Sequence, residues 1–442
     1  MDTGDGALEL APLRGLRYAG ADASALIDSP AFNLALALSP PYDLVDAASY
    51  ARMTTDEPHN AARLTAPPAV SAPDYTGAAR TLHRWIEEGV LVRDPSPAVY
   101  AYEQTTPEGL RQRGLIGLLR LPPPGGRAVR PHESIAEEPV LDRARLMAAT
   151  RANLEPIFLL YRGGHGAERG AASRAADAPA EQGDEPLVHT VTGDGVTHRL
   201  WALTDAGLHA RIAHDLAGRT ALIADGHHRY AAYRRLQARQ HGPGPWDLGL
   251  ALLVDSDASP PRLGPIHRVV PGIGARAAAD AARAHARVRA LPEDGGTDRT
   301  VRLLAEAARQ GPALALADRD GRFLIDRVDA GAMRAAAPDR SEAWRAMPTA
   351  ALERLFLPLW GVRPRAAELV HDDAAEAVRR AGAHTGPAAA VLLPPLRVAD
   401  VYEVTGRGEL TPRKSTSFGP KPRTGLVLRS LESLPERTDE AR

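Results

Sequence analysis

Apolar and polar positions along this 442-residue chain follow two rhythms, one of three to four residues and one of short unbroken runs. In 76–89 the residues Leu82, Trp85 and Ile86, followed by Leu91, recur at helical spacing and predict an amphipathic helix. The runs 99–104 and 114–120 predict two strands joined by a polar hairpin loop. The same reading gives a helix over 140–153, strands over 156–161 and 196–203, and a helix over 206–216. A strand, a tight turn and a helix follow from 221 to 240, and the helix stops at Gly242-Pro243-Gly244-Pro245. Further strands are expected at 248–254 and 265–270. From 273 to 379, alanine- and arginine-rich helices alternate with strands at 313–316 and 322–325, and two more strands are expected at 388–393 and 425–428. No repeat recurs at a fixed period. Hairpins outnumber crossovers in this pattern, so the expected fold class is α+β, a mixed α/β sheet with helical insertions.

Five stretches are expected. Residues 1–162 form an N-terminal α+β region, and 163–186, poor in large apolar residues, a mobile loop insertion. Residues 187–272 form a central region around the strand–turn–helix, 273–387 a helical region rich in alanine and arginine, and 388–442 the C-terminal strands with a lysine-bearing loop and a tail.

Charge and composition remove several classes of function. The 55 acidic residues balance 54 lysines and arginines, the net charge is -1 and aromatics make up 5%. Such a chain lacks the basic excess of a nonspecific nucleic-acid binder. With no cysteine there is no disulfide, thiolate zinc site or cysteine nucleophile. The first thirty residues lack a basic segment followed by an apolar run, and apolar runs such as 388–393 are too short to cross a bilayer. The expectation is a cytoplasmic protein without a membrane partner.

Two places concentrate chemistry. Only two lysines occur against fifty-two arginines, and both, Lys414 and Lys421, fall in the segment 412–423. A chain that uses arginine almost everywhere keeps here a compact, movable ammonium. Arg413, Lys414, Ser415, Thr416 and Lys421 supply cations and hydroxyls on a loop stiffened by proline, a composition suited to phosphate, although a solvated basic loop has the same composition. The second place is 221–233, where Asp225 and Gly226 follow an apolar strand and His227, His228 and Arg229 open a helix. A helix start presents backbone N–H groups to an anion, and His227 and Arg229 would add side-chain donors. Asp225 can cap the helix, act as a base or hold a metal. Upstream, Tyr42 and Asp43 follow two prolines, in a turn that either places Asp43 in a site or only reverses the chain. His132-Glu133 is no zinc-protease helix, because position 136 is alanine. His198 and His267 lie on strand candidates and read as structural.

The block from Ala224 to Tyr230 resembles the hallmark of a bacterial and archaeal family, the domain of unknown function number 1015. The resemblance extends to Pro40 through Asp43, Asn60 through Arg63, His132-Glu133, Asp142-Arg143, 153–161, 198–201, 266–268 and 412–425. More distantly, Asp225-Gly226-His227-x-Arg229 resembles the phosphate-binding turn of the ParB and sulfiredoxin superfamily, which includes free-serine kinases. That likeness implies a ParB/sulfiredoxin-like nucleotide site within the larger mixed sheet, with ATP or ADP and magnesium. His227 and Arg229 would contact phosphate, together with Gly226 and His228, and Asp225 would orient the acceptor hydroxyl or the metal. Glu133 is the candidate for a separate catalytic glutamate, and Tyr42, Asp43 and His132 for substrate contacts.

Three readings are open. The first is a nucleotide-dependent phosphotransferase acting on a small, amino-acid-like hydroxylated metabolite. The second is a metal-dependent hydrolase built on His132, Glu133, Asp225, His227 and His228, which adjacent histidines serve poorly because their side chains diverge. The third is a noncatalytic nucleotide-binding switch.

Overall fold

A computed structural model describes residues 6–19, 32–65, 74–292 and 294–432. The chain divides into two compact units. The first comprises Met1–Pro131, Ile135–Pro261 and Pro420–Arg442, and the second His132–Ser134 and Arg262–Gly419.

The first unit is built on a mixed sheet in the order Val129–Arg130, Ala221–Asp225, Ile157–Tyr161, Leu248–Asp255, Arg111–Arg120, Val99–Thr105, Thr197–Leu203 and Val188–Val191, with Leu10–Ala11 added to Arg111–Arg120. Its two central strands, Ile157–Tyr161 and Leu248–Asp255, run parallel. Both are buried almost throughout and apolar without alternation, as strands covered on both faces must be. Val129–Arg130 also runs parallel to Ala221–Asp225, while the other neighbours pair antiparallel, so the sheet mixes hairpins with two parallel pairs, and the mixed α/β class holds.

Helix Tyr75–Glu87 buries Leu82 and Trp85, as the sequence pattern placed them, together with Ala78 and Ala79, and leaves Ile86 half-buried. Helix Ala206–Leu216 begins where Asp205 accepts a hydrogen bond from the Leu208 amide at 2.6 Å. The segment 163–186 departs from expectation. It contains the helix Ala171–Gln182, which buries Ala172, Ser173, Ala175, Ala176 and Pro179. Small side chains make poor hydrophobic signals, but they let a helix backbone approach a sheet closely, and alanine has the best helix propensity. Strand 425–428 is also absent. Gly425 turns at φ 101°, leaving only single bridges at Thr424 and Leu428 before the strand Arg429–Ser430.

The second unit has its own sheet, in the order Arg287–Ala290, Gly321–Asp326, Leu314–Asp318, Ala388–Leu392, Ile266–Pro271 and Glu368–His371. Its core is alanine-rich, with Ala315, Ala317, Ala377, Ala381 and Ala390 packed around Val269, Leu304 and Leu324. A π-helix spans Leu352–Phe356, between the helices Pro348–Ala351 and Leu357–Leu359. Among the described residues no helix is long and apolar enough to cross a membrane.

Candidate functional site

Strand Ala221–Asp225 lies antiparallel to Ile157–Tyr161, and a register shift after Ile223 brings Asp225 opposite Phe158. The chain then turns through Gly226 at φ 88° into helix His227–Gln237, whose start carries no side-chain cap. Glycine is required there twice over. The left-handed backbone disfavours any Cβ, and a Cβ would also lie 3.0 Å from Arg229 Nε and 3.1 Å from Ile157 Cγ2.

Asp225 is held from two sides. Its Oδ2 accepts from Nη2 of Arg229 at 2.6 Å, and its Oδ1 pairs with Lys421 Nζ at 2.5 Å. Arg229 is only 2% exposed, and its Nη1 donates to the Pro156 carbonyl at 2.7 Å. Burial opposes the guanidinium charge, but Glu155, Asp225 and Asp43 outweigh it and raise the Arg229 pKa. Arg229, expected to meet phosphate, therefore stands behind Asp225 as its buried partner. The reason is the helical i,i+4 spacing, which folds Arg229 back onto Asp225.

Lys421 faces the other carboxylate oxygen, and its Nζ also lies 3.7 Å from Asp43 Oδ2. Burial works against the ammonium, yet Asp225 and Asp43 raise its pKa above the usual lysine value. The segment bearing Lys421 is fixed by its backbone and neighbours. The Pro420 carbonyl accepts from Gln112 Nε2 at 2.9 Å and Gln104 Nε2 at 3.3 Å, Arg423 pairs with Asp194, and Thr424 Oγ1 donates to Glu155 Oε1 at 3.0 Å. The same Glu155 oxygen accepts from the Tyr42 amide at 2.9 Å. The Tyr42 ring in turn lies under the Arg143 guanidinium, 4.0 Å from ring centroid to carbon. Glu155 thus ties the turn carrying Asp43 to the segment carrying Lys421. Sequence reasoning missed Glu155; its signal was a lone carboxylate at the head of an apolar strand.

The structure therefore brings together Tyr42, Asp43, Asp225, Gly226, Arg229 and Lys421. His227 is buried at the first helical position, and His228 Nε2 accepts from the Ala136 amide at 3.3 Å. His132, Glu133, Arg413, Lys414, Ser415 and Thr416 belong to the second unit, so the lysine-bearing loop is divided between the units. There His132 Nε2 lies 2.7 Å from Thr416 Oγ1, and the Lys414 amide donates to Glu133 at 3.4 Å. Asp225 was also expected to hold magnesium, and the geometry does not fit that role. Its two oxygens face two cations, and Lys421 occupies the space between Asp225 and Asp43 where a divalent ion would need open oxygen ligands. Among the described residues no group of three or more His, Asp or Glu side chains is disposed to hold a metal ion.

Residues 10–337 match the family described as "Protein of unknown function (DUF1015)". The chain belongs to the DUF1015 family. No curated protein matches it. Among solved structures, this DUF1015 member is similar to a free serine kinase in complex with AMP, at 15% identity over 66% of this chain and 84% of that one, with a TM-score of 0.33. It is also similar to C-terminally truncated SbnI from Staphylococcus aureus, at 9% identity over 71% and 86% of the chains, with a TM-score of 0.34. A conserved hypothetical protein from Pyrococcus furiosus aligns at 14% identity over 69% and 92%, with a TM-score of 0.33.

Proposed function

We propose that the first unit is a nucleotide-dependent phosphotransferase, transferring a phosphoryl group from ATP or ADP to a small hydroxylated metabolite. The observation that carries this reading is Asp225 itself, a carboxylate fixed behind by buried Arg229 and covered in front by the ammonium of Lys421. A phosphoryl donor with several negative charges competes with Asp225 for Lys421. When the ammonium turns to the phosphate, Oδ1 of Asp225 is released beside it.

Asp225 then accepts the proton of the acceptor hydroxyl as that oxygen bonds to the terminal phosphorus and the bond from phosphorus to the nucleotide oxygen breaks. Lys421 offsets the charge that remains on the departing nucleotide. The uncapped start of helix His227–Gln237 presents its amides on the same side as Gly226 and favours the same anion. Arg229 keeps the Asp225 carboxylate oriented, and Asp43 gives Lys421 a second resting partner. No step is assigned to a metal.

The test is phosphorus NMR of the full chain with ATP or ADP and a panel of hydroxylated amino acids and related alcohols. Asp225→Asn keeps the shape and removes the base, so transfer should fall by about two orders of magnitude or more while nucleotide still binds. Lys421→Met should weaken nucleotide binding itself. Transfer at the wild-type rate in Asp225→Asn, or wild-type affinity in Lys421→Met, would sink this assignment.

A further inference from the structure

The second unit contains a charged cluster that the proposed function does not use. At its floor lies Arg268, 4% exposed, whose Nη1 donates to the Ile266 carbonyl at 2.6 Å and whose Nη2 donates to the Lys414 carbonyl at 2.9 Å and the Arg413 carbonyl at 3.4 Å. One buried guanidinium thus draws two successive carbonyls of the 412–416 loop inward. The loop is further locked by Ser415, whose hydroxyl donates to the Pro412 carbonyl at 2.5 Å, and by Lys414, which adopts the left-handed φ of 53°. A non-glycine residue in that region is strained, and the surroundings must hold it there.

With those carbonyls engaged by Arg268, Arg413 is exposed and Lys414 half-buried on the loop. The Lys414 amide already faces an anion, the carboxylate of Glu133 at 3.4 Å, a long contact. Among the described residues the side chains of Arg413 and Lys414 have no hydrogen-bond or ion-pair partner.

Glu353 completes the cluster from the π-helix Leu352–Phe356. Burial pushes its carboxyl above the usual range, against the guanidiniums of Arg268, Arg413 and Arg354 that act to lower it. Yet none of the three forms an ion pair with it among the described residues. The Arg413 guanidinium and the Lys414 ammonium supply charge and donors for an anion.

We propose that the 412–416 loop, anchored from below by Arg268, forms a phosphate-group site within the second unit, in which Arg413 and Lys414 bind the anion and Glu133 occupies the Lys414 amide in its absence. Tetrahedral oxyanions suit this set because it offers a planar guanidinium, an ammonium and a backbone amide on one short loop. The assignment stands apart from the phosphotransferase reading of the first unit.

The experiment is calorimetric titration of the full chain with inorganic phosphate. Wild type should bind. The paired variant Arg413→Ala with Lys414→Ala should lose at least about tenfold in affinity, equivalent to roughly 1.4 kcal/mol. Glu133→Gln should bind phosphate more tightly, because its competing charge is gone. In a Lys421→Met background, where the first unit's phosphate contact is gone, the loss caused by the Arg413/Lys414 pair should persist, which separates this site from that of the first unit. Competition identifies the source of the phosphate. Displacement by glycerol phosphate and ATP alike, and not by adenosine, assigns a phosphorylated metabolite, and displacement by ATP alone assigns a nucleotide. No binding by wild type, or equal binding by wild type and the Arg413/Lys414 variant, overturns the proposal.

Discussion

Replacing Arg229 by alanine distinguishes a residue that meets a ligand from one that holds the site together. The side chain is 3% exposed, and alanine would remove both its hydrogen bond to Asp225 and its hydrogen bond to the Pro156 carbonyl. Asp225 would keep Lys421, but Glu155, the carboxylate that acts most strongly on Arg229, would lose that counter-charge. Removing one partner of a buried ion pair costs about 3–5 kcal/mol, because the other charge stays desolvated. For a unit of this size that corresponds to a fall in melting temperature of roughly 10 °C. Arg229→Lys should recover little of the loss, since one ammonium cannot span two acceptors that a planar guanidinium meets with separate nitrogens. Urea and thermal unfolding without ligand measure the effect, and nucleotide titration of the folded fraction accompanies them. A loss below about 1 kcal/mol together with abolished nucleotide binding would refute the reasoning and return Arg229 to direct contact with phosphate.

Two further predictions follow from local geometry. Gly226→Ala should destabilise the first unit by roughly 2–4 kcal/mol, the sum of a left-handed backbone at φ 88° and crowding against Arg229 and Ile157; wild-type stability in urea would show that the turn relaxes to another conformation. Burial, with Arg423, depresses the His198 pKa from 6.5 to about 4, against the opposing carboxylate of Asp194. The unfolded chain takes up this proton before the folded one does, so stability is complete above the unfolded value and falls as pH drops towards 4, by roughly 3 kcal/mol. His198→Gln should flatten that slope in pH-dependent urea unfolding, and an unchanged slope would place the acid sensitivity elsewhere.

Sequence by itself determined the elements whose signals are local. The apolar spacing of Leu82 and Trp85 fixed one helix face, the unbroken runs marked the buried strands, and Asp225-Gly226 announced a turn that no residue with a Cβ takes easily. Sequence also singled out Asp43, Asp225 and Lys421, since a turn after prolines, a strand end before a helix and an isolated lysine are each visible in one dimension. The helix Ala171–Gln182 was not legible, because burying alanines leaves no large apolar stripe to read. Nor was the orientation of Arg229. Its chemistry suits phosphate, but whether a guanidinium faces a ligand or the strand behind it depends on what lies within hydrogen-bond reach, here the Pro156 carbonyl. The division of the lysine-bearing loop is a tertiary decision of the same kind. Lys421 meets Asp225 across nearly two hundred residues of sequence, while Lys414 is held by Arg268 in the other unit. Long-range pairings like these are set by sheet order and burial, which follow from the packing of the whole chain and leave no local pattern in either partner.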